Sequence, residues 1–151
     1  MIAWRLVKAR YADTRLSMDG AIAEGGRWNL PGTALLYCSE HLSLAALEVL
    51  VHLAPNYRRI RFVALEIEVP DDAPMTTWDA ERLPVGWKTL VANAECQHRG
   101  TLWAASAHAL VLSVPSVIVE RERNLLLNGV HRAFERIRVH SAEPFVFDPR
   151  L

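Results

Sequence analysis

No sign of charge dominates this chain. Seventeen Lys and Arg face seventeen Asp and Glu, and the formal net charge is zero. Without a basic excess there is little to release counterions from a phosphate backbone, so direct nucleic-acid binding is not expected. Two local basic runs exist, "YRRIRF" (57–62) and "ERERN" (120–124), and both read as a solvated edge or loop. Cysteine is scarce: Cys38 and Cys96 stand far apart with no CxxC pattern, which excludes a disulfide framework and a cysteine zinc site. Cys38 can be read as a thiol nucleophile, but a small buried residue in a reducing compartment is the favoured reading. The six histidines show no HxxxH or HExxH spacing, so no metal is expected. Long apolar runs are missing too. The stretch Leu42 to Leu53 is interrupted by Ser43, Glu48 and His52 and is too short to span a bilayer. The first residues, "MIAWRLVKAR", lack a signal-peptide pattern, so a cytoplasmic location with no membrane partner is expected. The nucleotide fingerprints GxGxxG and GxxxxGK[ST] are absent, as is the G-x-S-x-G elbow.

What is present is enough core for one domain over 1–151: the residues are 51% hydrophobic and 23% charged. "IAWRLVKA" and "TALLYCS" (Thr33 to Ser39) read as strands. "LSLAALEVLVHLAP" reads as a helix with Ser43 as N-cap and Pro55 as the stop. "RIRFVALEIEVP" (Arg59 to Pro70) alternates as a strand, with a slip between Ala64 and Ile67 that marks a bulge. "DDAPMTTWDAERLPVGW" reads as loop with one helical turn, and Ala92 to Leu110 as a second helix containing Gly100. "ALVLSVPSVIVE" reads as two short strands broken at Pro115, and "NLLLNGVHRAF" as a loop or short helix. "RIRVHS" and "PFVFDPRL" close the chain as strands. Strands outnumber helices and do not alternate with them strictly, which predicts an α+β domain around a mixed sheet.

Two charges stand out. The predicted helix from Ser43 is apolar on every side except at Glu48, so it should be buried and take Glu48 at least partly with it. An ionised carboxylate in such a place needs a partner: a cation, a hydrogen-bond network or a substrate. Arg27 follows Gly25 and Gly26, which permit unusual backbone angles and close approach, and its planar fork suits phosphate or carboxylate. Tyr37, on the strand between them, can offer a flat face to a ring or pack into the core. Spacing alone favours an internal ion pair over function.

Read together, "GGRWNLPGTALLYCSEHLSLAALEVLVHL", "GTLWAASAHALVLSVPS", "VPSVIVERERNLLLNGVHRAF" and "PFVFDPRL" resemble the RES domain, named for its arginine, glutamate and serine. Arg27, Glu48 and Ser116 match those three in order and context. One departure is Gly129, where the family often has proline. The resemblance implies a fold similar to ADP-ribosyltransferase toxins and a place as the toxin of a bacterial toxin–antitoxin pair. NAD is then a substrate rather than a resident cofactor, consumed by hydrolysis or phosphorolysis of the nicotinamide–ribose bond. One branch instead transfers ADP-ribose to a protein. The implied partner is an Xre-type helix-turn-helix antitoxin, in a complex where the toxin is a homo-oligomer. Within that picture Glu48 steadies the cationic transition state, Tyr37 meets the nicotinamide, and Arg27 holds the diphosphate or ribose. Ser116 and Asn124 hydrogen-bond substrate or Glu48. An RNA-targeting toxin is the competing class.

Overall fold

The computed structural model describes residues 1–54 and 60–151. Its strands are β1 (Ile2–Lys8), β2 (Leu35–Ser39), β3 (Phe62–Glu68), β4 (Met75–Thr77), β5 (Val111–Pro115), β6 (Arg123–Asn128) and β7 (Arg138–Phe145). They form one sheet in the order β4-β5-β6-β2-β1-β3-β7. β4 and β5 run parallel and the other neighbours antiparallel, so the sheet is mixed and the class is α+β, as the pattern of elements predicts. Among the described residues three α-helices accompany it: α1 (Asp19–Glu24), α2 (Leu42–Leu50) and α3 (Ala94–Ser106). The expected bulge is present, as a register shift at Glu66/Ile67 against β7.

The sheet has a seam. β1 and β3 stay paired from Ile2–Glu68 to Lys8–Phe62. β1 and β2 share a single registered pair, Trp4 opposite Ser39. Side chains alternate along a strand, so Leu36 and Cys38 leave β2 on one face and Leu35, Tyr37 and Ser39 on the other. The first face carries one continuous core that includes Ala3, Leu36, Leu65, Ile67, Leu125 and Leu127. The second face carries two separate cores. One packs Trp28, Leu35, Trp87, Trp103 and Leu126 against α3. The other packs Leu6, Phe62, Ala64 and Phe147 beside Ala46, Val49 and Leu50 of α2. The space between those two cores, over the seam, holds the candidate site.

Several sequence expectations are corrected here. Ser43 is not the cap of α2: His41 is, with extended backbone and no side-chain cap bond, and Ser43 lies inside the first turn. Nor is α2 buried all round. Leu44 and Ala45 are buried, but Val51 just past its end is 57% exposed, because only one side of the helix meets the sheet. Pro55 and Tyr57 to Arg59, which carry the predicted helix stop, the start of the predicted strand and much of one basic run, lie outside the described residues. "NLLLN" is neither loop nor helix but the interior strand β6, with Leu125, Leu126, Leu127 and Asn128 buried. A strand covered on both faces has no alternation to read. "SVIVE" forms a turn rather than a second strand, because the Ser116 hydroxyl accepts the Ile118 and Val119 N–H groups that a ladder needs. Met75–Thr77 is an edge strand where a loop is predicted. α3 ends at Ser106, where Ala107 turns left-handed with φ 49°. The two predicted closing strands merge into β7, which begins at Arg138, two residues into "RIRVHS", and stops at Phe145. In "ERERN", Arg123 is not a solvated charge: it donates to Ser113 Oγ, Ser113 O and Trp78 O. Gly129 has a clear local reason. Its N–H donates to Ala34 O at 2.9 Å, which a proline cannot do, and an added Cβ would stand 2.4 Å from Met18 Sδ.

Candidate active site

The first wall of the site is the turn Gly25–Asn29. Gly25 adopts φ +75°, and an added Cβ at Gly26 would lie 2.5 Å from Tyr37 Oη, so both positions need glycine for different reasons. Asn29 is fully buried and ties the turn together: its Nδ2 donates to Ala21 O and Leu30 O, and its Oδ1 accepts from Tyr37 Oη at 2.7 Å. Tyr37 Oη also accepts the Trp28 N–H at 3.1 Å. Burial pushes the Tyr37 phenol well above its usual value, against smaller opposing effects of the Trp28 N–H and Arg27, so the hydroxyl keeps its proton. Trp28 is buried against Trp78 and Trp87, at ring distances of 5.9 and 6.3 Å. α3 supports the turn from behind: Gln97 Nε2 donates to Gly26 O, and Gly100 packs directly on the Trp28 carbonyl. Arg27 Nη1 donates to Trp87 O at 2.8 Å and Thr89 O at 2.9 Å.

The second wall is α2. Glu48 follows Leu44 and Ala45 by one helical turn, which puts it on the sheet-facing side, half-buried. Two donors converge on one of its oxygens. Ser116 Oγ reaches Oε1 at 2.8 Å and Asn124 Nδ2 reaches the same atom at 2.5 Å. Asn124 is itself oriented by Ser39 Oγ, which donates to its Oδ1 at 2.7 Å. Ser116 is completely buried, and its Oγ is shared among Glu48 and two backbone N–H groups. Oε2 has no hydrogen bond among the described residues.

Arg27 and Glu48 form no ion pair with each other, which removes the account that spacing alone favours. They line one cavity of about 290 Å³, together with Gly25, Gly26, Trp28, Tyr37, Pro115, Val117 and Asn124. A second cavity of about 310 Å³ adjoins it. The two share Tyr37, Glu48, His52 and Asn124, so the carboxylate stands on their common wall. The structure therefore brings Arg27, Tyr37, Glu48, Ser116 and Asn124 into one constellation. Asn29, Ser39, Gly100 and Trp87 also build it and escape sequence reasoning. Asn29 alone carried a local signal, as the polar residue in "GGRWNLPG". The Cys38 thiol is buried and pushed up to about 12 by desolvation, which makes it a poor nucleophile. Among the described residues no group of His, Cys, Asp and Glu is arranged to hold a metal ion, and no helix is long and apolar enough to cross a membrane.

Residues 2–148 match the family model of the RES domain. A protein named "Toxin Res" from Yersinia enterocolitica is 37% identical over 100% of this chain and 99% of its own length. A protein named "Prs ADP-ribosylating toxin" from a Sphingobium species is 38% identical, over 98% of this chain and 94% of its own. A "Toxin Res" from Photorhabdus laumondii is 34% identical over 100% and 97%.

Proposed function

The chain belongs to the RES-domain family, and on that premise we propose that it is an NAD-consuming toxin that breaks the bond between nicotinamide and ribose. The observation that carries this reading is the carboxylate of Glu48, clamped through Oε1 and facing a cavity walled by Arg27 and Tyr37. Nicotinamide in NAD is already a cationic leaving group, so it departs neutral and needs no general acid. Positive charge then develops on the ribose, as in the oxocarbenium-like states of glycoside hydrolysis. A fixed carboxylate beside that charge stabilises it without reorganising. Ser116 and Asn124 hold Oε1, which leaves Oε2 for the ribose. Tyr37, its hydroxyl locked to Asn29, offers a ring of fixed orientation to the nicotinamide. Arg27 meets the ribose or phosphate side of the substrate. The fold reads as similar to the ADP-ribosyltransferase toxins, with the sheet seam as the cleft. A helix-turn-helix antitoxin is the expected partner, and no cofactor is required.

The test is nicotinamide release from NAD by the full chain, freed of any antitoxin, against Glu48→Gln. Release by the wild type and its loss in the variant support the proposal. RNA breakdown with flat NAD overturns it. A second reading is favoured by the name of the Sphingobium relative: transfer of ADP-ribose to a protein. Labelled NAD in a lysate separates them. Label fixed on one protein means transfer, and free ADP-ribose or its phosphate means hydrolysis or phosphorolysis.

A further inference from the structure

Arg27 and Glu48 line one cavity from two separate walls, and a substrate between them needs that gap set. Arg27 takes part in no ion pair among the described residues. Its Nη1 is held by the carbonyls of Trp87 and Thr89, so its place follows the loop 84–93. That loop is one internally bonded body. Gly86 turns it with φ +82°, the Trp87 N–H donates to Pro84 O, the Thr89 N–H to Gly86 O, and Asn93 Nδ2 to Val85 O. Its grip on the rest of the protein is narrow. Trp87 is buried against Trp28, but Val85, Leu90 and Val91 are largely exposed and add nothing to the core.

A second anchor crosses to the other wall. Lys88 Nζ stands 2.5 Å from Glu120 Oε1. Glu120 belongs to the turn that begins at Ser116. The Ser116 N–H donates to Glu122 O, the Glu122 N–H donates to Val119 O, and the Ser116 hydroxyl accepts two N–H groups, so the turn is closed. Ser116 holds Glu48, and Val117 lines the cavity. The contacts thus run unbroken from Arg27 through the loop, the Lys88–Glu120 pair and the turn to Glu48. An exposed ion pair adds little stability, because ordering two long side chains offsets the attraction. Here part of that ordering is already met, since Lys88 Nζ also lies 5.4 Å from the centre of the Trp87 ring. A pair that adds little to the fold can still set a distance. We propose that Lys88 and Glu120 are positioning residues, whose ion pair holds Arg27 at the separation from Glu48 that the dinucleotide spans. This rests on the NAD reading above.

The experiment uses the full chain, freed of any antitoxin, as wild type, Lys88→Glu, Glu120→Lys and the double swap. KM and kcat are measured for nicotinamide release from NAD, and hydrogen exchange is followed at the loop amides. Each single reversal replaces an attraction of up to about fivefold with a repulsion of similar size. KM should therefore rise about three- to tenfold in either single variant, with kcat within about twofold of wild type. Loop amides should exchange faster in both. The double swap, which restores the pair in reverse, should return KM and exchange to near wild type. Neither side chain lines the cavity, so direct contact with substrate cannot produce that rescue. A KM unmoved while exchange quickens overturns the proposal, because the pair then serves the loop alone. So does a double swap no better than the singles. A KM that falls in the singles makes the pair a barrier to entry and also overturns it. If the wild type releases no nicotinamide, the NAD reading fails by itself and exchange decides the pair. Swap-dependent protection then upholds the coupling of loop and turn, and equal exchange in all four chains overturns it.

Discussion

The two walls of the cleft are built on opposite plans. The Arg27 wall is irregular chain held by many parts: two glycines, a buried asparagine, a tryptophan cluster and a helix packed against its backbone. The Glu48 wall is a nine-residue helix whose carboxylate is fixed through one oxygen by two side-chain hydrogen bonds. The first wall ties geometry to folding, so damage there should unfold the protein. The second separates them, so damage there should silence the chemistry and leave the fold standing.

Glu48→Gln makes the sharpest contrast. Glutamine keeps an oxygen for Ser116 and Asn124 but removes the charge that a cationic transition state needs. Nicotinamide release should fall by about 10³-fold, the scale of a lost preorganised electrostatic contact. Stability should stay within about 1 kcal/mol of wild type in urea melts. A collapse of stability would mean that Glu48 serves the fold first.

Gly100→Ala tests the other wall. An added Cβ would meet the Trp28 carbonyl oxygen at 1.8 Å, and backbone cannot step aside as a flexible side chain can. The cost should be about 3 kcal/mol, at the upper end for overpacking, with activity falling only as the folded fraction falls. If stability holds while activity drops, the Arg27 wall is looser than its packing implies.

Ser116→Ala lies between these extremes. It removes one of two donors to Glu48 Oε1 and strands the Ile118 and Val119 N–H groups. A loss of about 1–2 kcal/mol is expected, with roughly tenfold slower release. Equal kinetics in this variant would show that Asn124 alone positions the carboxylate.

The walls also differ in how far a sequence reveals them. A single carboxylate in an apolar helix is conspicuous, so Glu48 could be singled out from periodicity. Its partners could not, because Ser116 and Asn124 lie 68 and 76 residues away and only the family resemblance linked them. The strand that delivers Asn124 leaves no periodic signal, since "NLLLN" has no alternation. Trp87 and Gly100 act through a backbone carbonyl and close packing, and neither leaves a mark in residue type, whereas Asn29 acts through its side-chain amide and shows only as a polar residue beside the glycine turn.

The smallest effect concerns the floor beneath both walls. On β2, Tyr37 faces the cleft and Cys38 faces the continuous core, and burial raises both pKa values, that of Cys38 from 9.0 to about 12. The native state therefore holds these protons more tightly than the unfolded chain does. Where unfolding releases a proton, stability falls as pH rises. The window opens near the unfolded thiol's value and runs toward pH 12. From pH 8 to pH 10 Cys38 alone should lower stability by up to about 1.4 kcal/mol, one pKa unit's worth, with Tyr37 adding mostly above pH 10. Urea midpoints at the two pH values measure it, and Cys38→Ala should flatten most of the slope. A wild type equally stable at both would show that the folded core does not hold the thiol proton, and a slope that survives Cys38→Ala would place the alkaline weakness in the cleft wall at Tyr37 rather than in the shared core.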